Sequence, residues 1–202
     1  MGDSLLAWNE LSGESVSHSV ERSLNEPVID RTVRGAKIMY PLPISGALGM
    51  SIEKQYTDGD WDWIILNGGG NDLWLGCGCI RCDGTINSMI SEDGRSGKIP
   101  AMVSKLRNTN AKVIFVGYLR SPGVGSPIEH CKDEGDILES RVARLAEQDD
   151  GFYYLSLRDM VPHGSTKYHA IDMIHPSIRA SQEIGKRVAE LVTAAEGNTA
   201  QN

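Results

Sequence analysis

The chain is short of several things, and each shortage excludes a class of function. Among its 202 residues there is no excess of basic side chains: 20 Lys and Arg stand against 27 Asp and Glu, a net charge of −7. Nonspecific nucleic-acid binding, which needs a basic face, is therefore not expected. No apolar run approaches the roughly 20 residues that span a bilayer, so no membrane span is expected. No basic-then-apolar leader opens the chain, so the sequence as given carries no secretory signal. Aromatic residues make up 6% of the chain, which gives no special sign of polysaccharide binding. The Gly-x-x-x-x-Gly-Lys-Ser/Thr and Gly-x-Gly-x-x-Gly loops that cradle phosphates are missing, and so is the Gly-x-Ser-x-Gly elbow. No cofactor is expected.

What is present is an alternation of strand and helix patterns. Val16, Val20 and Leu24 recur four apart in "SVSHSVERSL", one face of a helix. "PVIDRTV" reads as a short strand after Pro27. "WDWIILNGGG" reads as a buried strand from Trp63 to Leu66 that ends in glycines. "IPAMVSKL" and "DILESRVARLAEQ" read as helices, "KVIFVGYL" and "FYYLSL" as strands, and "SIRASQEIGKRVAELVTAA" as a closing helix. Apolar strands separated by helices imply a parallel sheet covered on both faces. The expectation is one α/β domain over residues 1–195, with a frayed tail at 196–202. In such sheets the site lies at the carboxyl ends of the strands. Both Ser4 and the glycines after Leu66 fall there.

Acyl transfer needs a nucleophile, a base, a group that orients the base, and donors for the oxyanion. Ser4 stands on a turn before "LLAW". "DMIHP" supplies Asp172 and His175, three residues apart, close enough for the carboxylate to fix the imidazole tautomer. Asn71 in "GGGND" offers a neutral donor, and Gly35 in "TVRGAK" an unobstructed backbone N–H. The plainer readings are a helix cap for Ser4, a cap of the last helix for His175, a turn-structuring role for Asp72, and loop positions without a catalytic role for His163 and His169.

Gly2-Asp3-Ser4-Leu5, Gly35, Gly69-Gly70-Asn71-Asp72 and Asp172-x-x-His175 occur in that order, and the set resembles the GDSL family of SGNH hydrolases over nearly the whole chain. The resemblance implies a flavodoxin-like three-layer α/β/α sandwich with a mostly parallel sheet. It implies Ser4 as nucleophile, His175 as base and Asp172 as its orienter. The oxyanion hole would be the N–H of Ser4, the N–H of Gly35 and the side-chain amide of Asn71; Gly46 in "ISGAL" is a second candidate for the Gly35 position. The substrate would be a small-molecule acyl ester. The departure lies at the start. The family runs a central strand into the Gly-Asp-Ser turn, and here only Met1 precedes Gly2, so the first strand is expected to be missing or truncated. Either the natural chain is longer, in which case export to the periplasm or outside is open, or the short form folds with that slot empty or filled otherwise. A displaced Ser4 would favour the alternative of a non-catalytic binding or interaction module. Oligomeric state is left open.

Four cysteines lie at 77, 79, 82 and 131, three of them in "CGCIRC". Two disulfides that pin the long loop between Asp72 and Ile99 are the favoured expectation. A zinc site with His130 as spare ligand and free thiols are the alternatives; a thioredoxin-type role for Cys79-x-x-Cys82 does not fit its loop position. In the disulfide case Cys131 is expected to bridge to the cluster. Leu73, Trp74 and Leu75 are candidates for lining an acyl pocket or covering the core. Arg120 is a candidate for binding a substrate anion or for pairing with Glu129.

Overall fold

A computed structural model describes residues 1–199. Three strands, β1 (Trp63–Leu66), β2 (Lys112–Val116) and β3 (Phe152–Leu155), form a parallel sheet in the order β1-β2-β3. Ile64 is in register with Val113, and Val113 with Phe152. Alternation along β2 sorts the core into two layers, because successive strand side chains point to opposite faces. Ile114 and Val116 join Leu5, Leu6, Val16, Val20, Ile184 and Val188 on one face. Val113 and Phe115 join Ile86, Met89, Val103, Leu106, Leu138 and Val142 on the other.

The first face is covered by α1 (Ser4–Ala7), α2 (Val16–Leu24) and α6 (Ile178–Thr199). The second is covered by α3 (Asp83–Met89), α4 (Lys98–Arg107) and α5 (Lys132–Ala146). The result is the expected three-layer α/β/α arrangement with a parallel sheet. Helix α6 continues through Thr199, and Glu196 accepts a hydrogen bond from the Trp63 indole at 2.8 Å. Residues 196–199 are thus helical where fraying is expected, and 200–202 lie outside the described residues. Among the described residues no helix is long and apolar enough to cross a membrane.

"PVIDRTV" is not a strand. Pro27 has no N–H to give a ladder. Asp30 turns the chain locally instead: its carboxylate accepts from the Thr32 N–H at 2.8 Å and the Thr32 hydroxyl at 2.7 Å. Such short side-chain-to-backbone bonds compete with sheet pairing.

At the sheet edge Met1 does the work of a one-residue strand. Its ammonium donates to the Ile65 carbonyl at 2.9 Å, and its carbonyl accepts from the Asn67 N–H at 3.3 Å. Gly2 continues the chain and accepts from the Val33 N–H at 3.1 Å. The slot beside the rest of β1 is a groove of about 600 Å³ lined by Leu6, Val16, Val20, Trp61, Ile65 and Val192, among others. The α-amine is buried there although the Met1 side chain is only half-buried. Burial pulls its pKa down to about 6, against the pull of Asp30.

Candidate active site

The turn that presents Ser4 is clamped from both sides. Asp3 caps α1 by accepting from the Leu5 N–H at 3.0 Å, so Ser4 becomes the first helical residue. Buried Gln55 accepts from the Gly2 N–H at 2.6 Å and donates to the Gly2 carbonyl at 2.9 Å. The Tyr118 hydroxyl donates to the other Asp3 oxygen and accepts from the Gly70 N–H at 2.8 Å. One phenol therefore ties the nucleophile turn to the glycine turn after β1. Burial raises the Asp3 carboxyl to about 6, opposed by the bonds from Tyr118 and Leu5.

The glycine turn needs its glycines. Gly69 has φ +105°, and a Cβ there would lie 2.6 Å from Leu138. A Cβ on Gly70 would lie 2.6 Å from the Tyr118 ring. Asn71 next to them donates to the Ala36 carbonyl at 3.0 Å, which uses one of its two amide hydrogens. Asp72 structures the adjoining loop: it accepts from the Ile38 and Met39 N–H groups at 2.9 and 2.8 Å. Gly35 takes φ +79° in the turn closed by the Ala36 N–H and the Val33 carbonyl. Gly46 lies in the helical turn Gly46–Met50, against Tyr40, Ser51 and Lys54; Gly35 directly precedes Ala36, whose carbonyl accepts from Asn71.

Asp172 and His175 form a local unit on the loop between β3 and α6. One Asp172 oxygen accepts from the Ile174 and His175 N–H groups, each at 3.0 Å; the other meets His175 Nδ1 at 2.6 Å. Burial pushes the Asp172 carboxyl up, but the bonds from the His175 ring and from the His175 and Ile174 backbone outweigh it, and the pKa is lowered. His175 Nε2 lies 3.0 Å from Ser4 Oγ. With Nδ1–H donated to the carboxylate, Nε2 is the lone-pair nitrogen that faces the hydroxyl. Asn9, just after α1, holds the loop to the nucleophile helix by donating to the Pro176 carbonyl at 3.1 Å and to Ser181 at 3.0 Å.

Ser4 and His175 open onto a cavity of about 450 Å³, walled by Leu73, Trp74, Leu119, Ile128, Val161 and Ile174. Leu75 points to solvent and is not part of the wall. Disulfides join Cys77 to Cys82 and Cys79 to Cys131. The second ties the loop after Asn71 to the segment after β2, and Cys131 lines the cavity. The sulfurs of Cys79 and Cys131 lie near the His130 ring, but the disulfide leaves neither as a thiolate for zinc.

Arg120 does not pair with Glu129. It is spent on Asp136 at 2.6 Å and buried Glu139 at 2.5 Å. Glu139 also accepts from the Tyr118 N–H at 2.6 Å and the Tyr154 hydroxyl at 2.7 Å. This network fixes the backbone that carries Tyr118. His163 lines the cavity. His169 is buried, and among the described residues neither of its ring nitrogens has a hydrogen-bond partner; burial lowers its pKa against the pull of Asp172. Sequence reasoning missed Gln55, Tyr118 and Asn9. Only Asn9 lies close enough to Ser4 in the chain to have been suspected.

The GDSL-like lipase/acylhydrolase family matches residues 1–182. No curated protein matches the chain. Among solved structures, a proposed SGNH hydrolase from Slackia heliotrinireducens is similar at a TM-score of 0.64 and 16% identity, over 94% of both chains. A proposed lipolytic protein of the G-D-S-L family from Desulfitobacterium hafniense DCB-2 is similar at 0.63 and 12% identity, over 94% of this chain and 95% of that one. At such identities these two speak for the fold. The family match covers most of the chain, and the chain belongs to the GDSL-like lipase/acylhydrolase family.

Proposed function

We propose that this member of the GDSL-like lipase/acylhydrolase family cleaves carboxylic esters of small molecules through an acyl-enzyme. The observation that carries the reading is the relay from Ser4 Oγ to His175 Nε2 at 3.0 Å and from His175 Nδ1 to Asp172 at 2.6 Å. His175 takes the hydroxyl proton as Ser4 attacks the acyl carbon, and then gives it to the leaving alcohol. A water deprotonated by the same nitrogen then releases the acid. Asp172 holds the ring tautomer and offsets the charge of the imidazolium. The N–H groups of Ser4 and Gly35 and the second amide hydrogen of Asn71 are the oxyanion donors. The apolar cavity takes the acyl chain, and its volume lies in the range of small-ligand pockets. The rival reading of a binding module presupposes a displaced Ser4, whereas the hydroxyl and the imidazole lie at hydrogen-bond distance.

A fluorophosphonate probe with a p-nitrophenyl ester assay tests the reading. Wild type is expected to be labelled at Ser4 and to turn over the ester; Ser4→Ala is expected to lose both while its thermal melt stays unchanged. A Ser4→Ala protein that kept wild-type turnover would sink the assignment, and an unlabelled, inert wild type would favour the binding module.

A further inference from the structure

The two hydrogen bonds that align His175 are made at Nδ1 and at Nε2, whose N–H and lone pair point along the plane of the ring. They leave its flat faces unrestrained. The loop from 156 to 177 that carries the ring contains no helix or strand, apart from an isolated bridge between His169 and Pro176. One face is nevertheless covered: the Trp8 indole lies parallel to the imidazole, with ring centroids 3.7 Å apart and planes at 4°. The Arg34 guanidinium carbon lies 4.6 Å from the centroid of the Trp8 ring. Trp8 also closes the nucleophile helix, because its N–H donates to the Ser4 carbonyl at 2.9 Å. The residue that bears the hydroxyl and the residue that covers the base are thus one helical turn apart and share a backbone bond. Arg34 in turn precedes Gly35, the proposed oxyanion donor.

We infer that Trp8 is a positioning residue that stacks on His175 and holds the imidazole plane in line with Ser4 Oγ. The inference rests on the esterase reading above. Two physical effects act together. A ring held by in-plane bonds at both nitrogens still tilts about the line that joins them, and a parallel aromatic surface at van der Waals distance opposes that tilt; small misalignments are costly in proton transfer and attack. The electron-rich indole face also attracts the imidazolium formed in the transition state but not the neutral ring of the ground state, so its contribution belongs to kcat rather than to KM. Arg34, in cation–π contact with the same indole, helps hold it in place. Trp8 is absent from the cavity wall, which separates its role from acyl-chain binding. If Trp8 merely covered apolar surface, a leucine of comparable hydrophobicity would serve as well.

The test compares Trp8→Phe, which keeps a flat aromatic face, with Trp8→Leu, which does not. Fluorophosphonate labelling rates and ester kinetics are measured, with proton NMR of the His175 ring. In wild type the carbon-bound ring protons are expected upfield, shifted by the indole ring current. Trp8→Leu is expected to lower kcat by about 10-fold with KM changed less than about twofold, and to return those signals downfield; Trp8→Phe is expected to keep kcat within about threefold. Equal kcat in wild type and Trp8→Leu, or equal losses in the two variants, would overturn the inference. Unshifted His175 protons in wild type would overturn it even if Trp8→Leu failed to fold. A wild type labelled at Ser4 with a Trp8→Leu protein labelled at the same rate defeats this inference alone. A wild type that is not labelled defeats the esterase reading and this inference with it.

Discussion

Asp172 reaches His175 across three residues, with three hydrogen bonds made inside one loop. The turn that presents Ser4 is held by groups far away in the chain: Tyr118 is 115 positions from Asp3, and Gln55 is 53 from Gly2. The base unit is self-contained and partly exposed, with side chains 20% and 35% accessible. The nucleophile turn is buried and depends on tertiary contacts from both faces of the sheet. The two halves meet through Nε2, through Asn9 on Pro176 and through the Trp8 stack. Damage on the base side should therefore be chemical and local, while loss of the contacts that clamp the nucleophile turn should cost stability as well.

After the loss of Ser4 itself, the largest effect expected is on the base side. Asp172→Asn leaves the loop bonds to Ile174 and His175 feasible but presents the wrong tautomer, and should lower kcat by about 10,000-fold, as the equivalent change does in serine proteases. Its thermal melt should stay within a few degrees of wild type. A loss below about tenfold would separate the carboxylate from catalysis.

On the nucleophile side, Asn71→Ala removes one oxyanion donor and should cost about 100-fold or more in kcat. It also leaves the Ala36 carbonyl without its partner, so a small drop in melting temperature should accompany it. Full activity in a folded Asn71→Ala protein would remove Asn71 from the oxyanion hole.

Tyr118→Phe is the sharpest probe of the contrast. It strips a buried bond from Asp3 and another from the Gly70 N–H, and should destabilise the fold by about 1–3 kcal/mol. Chemical denaturation measures this, and an unchanged midpoint would show that the two turns are not joined through the phenol. Asp172→Asn should show the reverse pattern, with a large loss of rate and little loss of stability.

The smallest effect is a pH dependence of stability. Asp3 is raised in the folded state to about 6. The folded protein then holds a proton that the unfolded chain has released, so Asp3 makes stability fall as pH rises from about 4 to about 6. The Met1 amine is lowered from 8.0 to about 6. Here the unfolded chain holds the proton, and stability should rise again from about pH 6 to pH 8. Each limb is on the order of 3 kcal/mol. The expected minimum near pH 6 can be read from denaturation midpoints across that range, and a flat profile would show that neither burial is felt. Tyr118→Phe removes a bond that lowers the Asp3 pKa, and should carry the falling limb above pH 6.

The sequence by itself determined the alternation of strands and helices that makes the sheet parallel, because the continuous apolar run in "KVIFV", buried at every position but Lys112, and the four-residue spacing in α2 and α6 are local properties of side chains and backbone. It also determined the pairing of Asp172 with His175, which needs only one loop. It could not determine that "PVIDRTV" leaves the sheet, because the competition between ladder and Asp30 bonds is settled by what lies alongside. Nor could it show that Met1 pairs with Ile65, that Arg120 is spent on Glu139 and Asp136, or that Gln55 and Tyr118 clamp the serine turn. Those contacts join residues tens of positions apart, and their partners are chosen by which buried polar groups the folded chain leaves unpaired. Local spacing carries no record of that choice; only the packed layers bring the groups within hydrogen-bond distance.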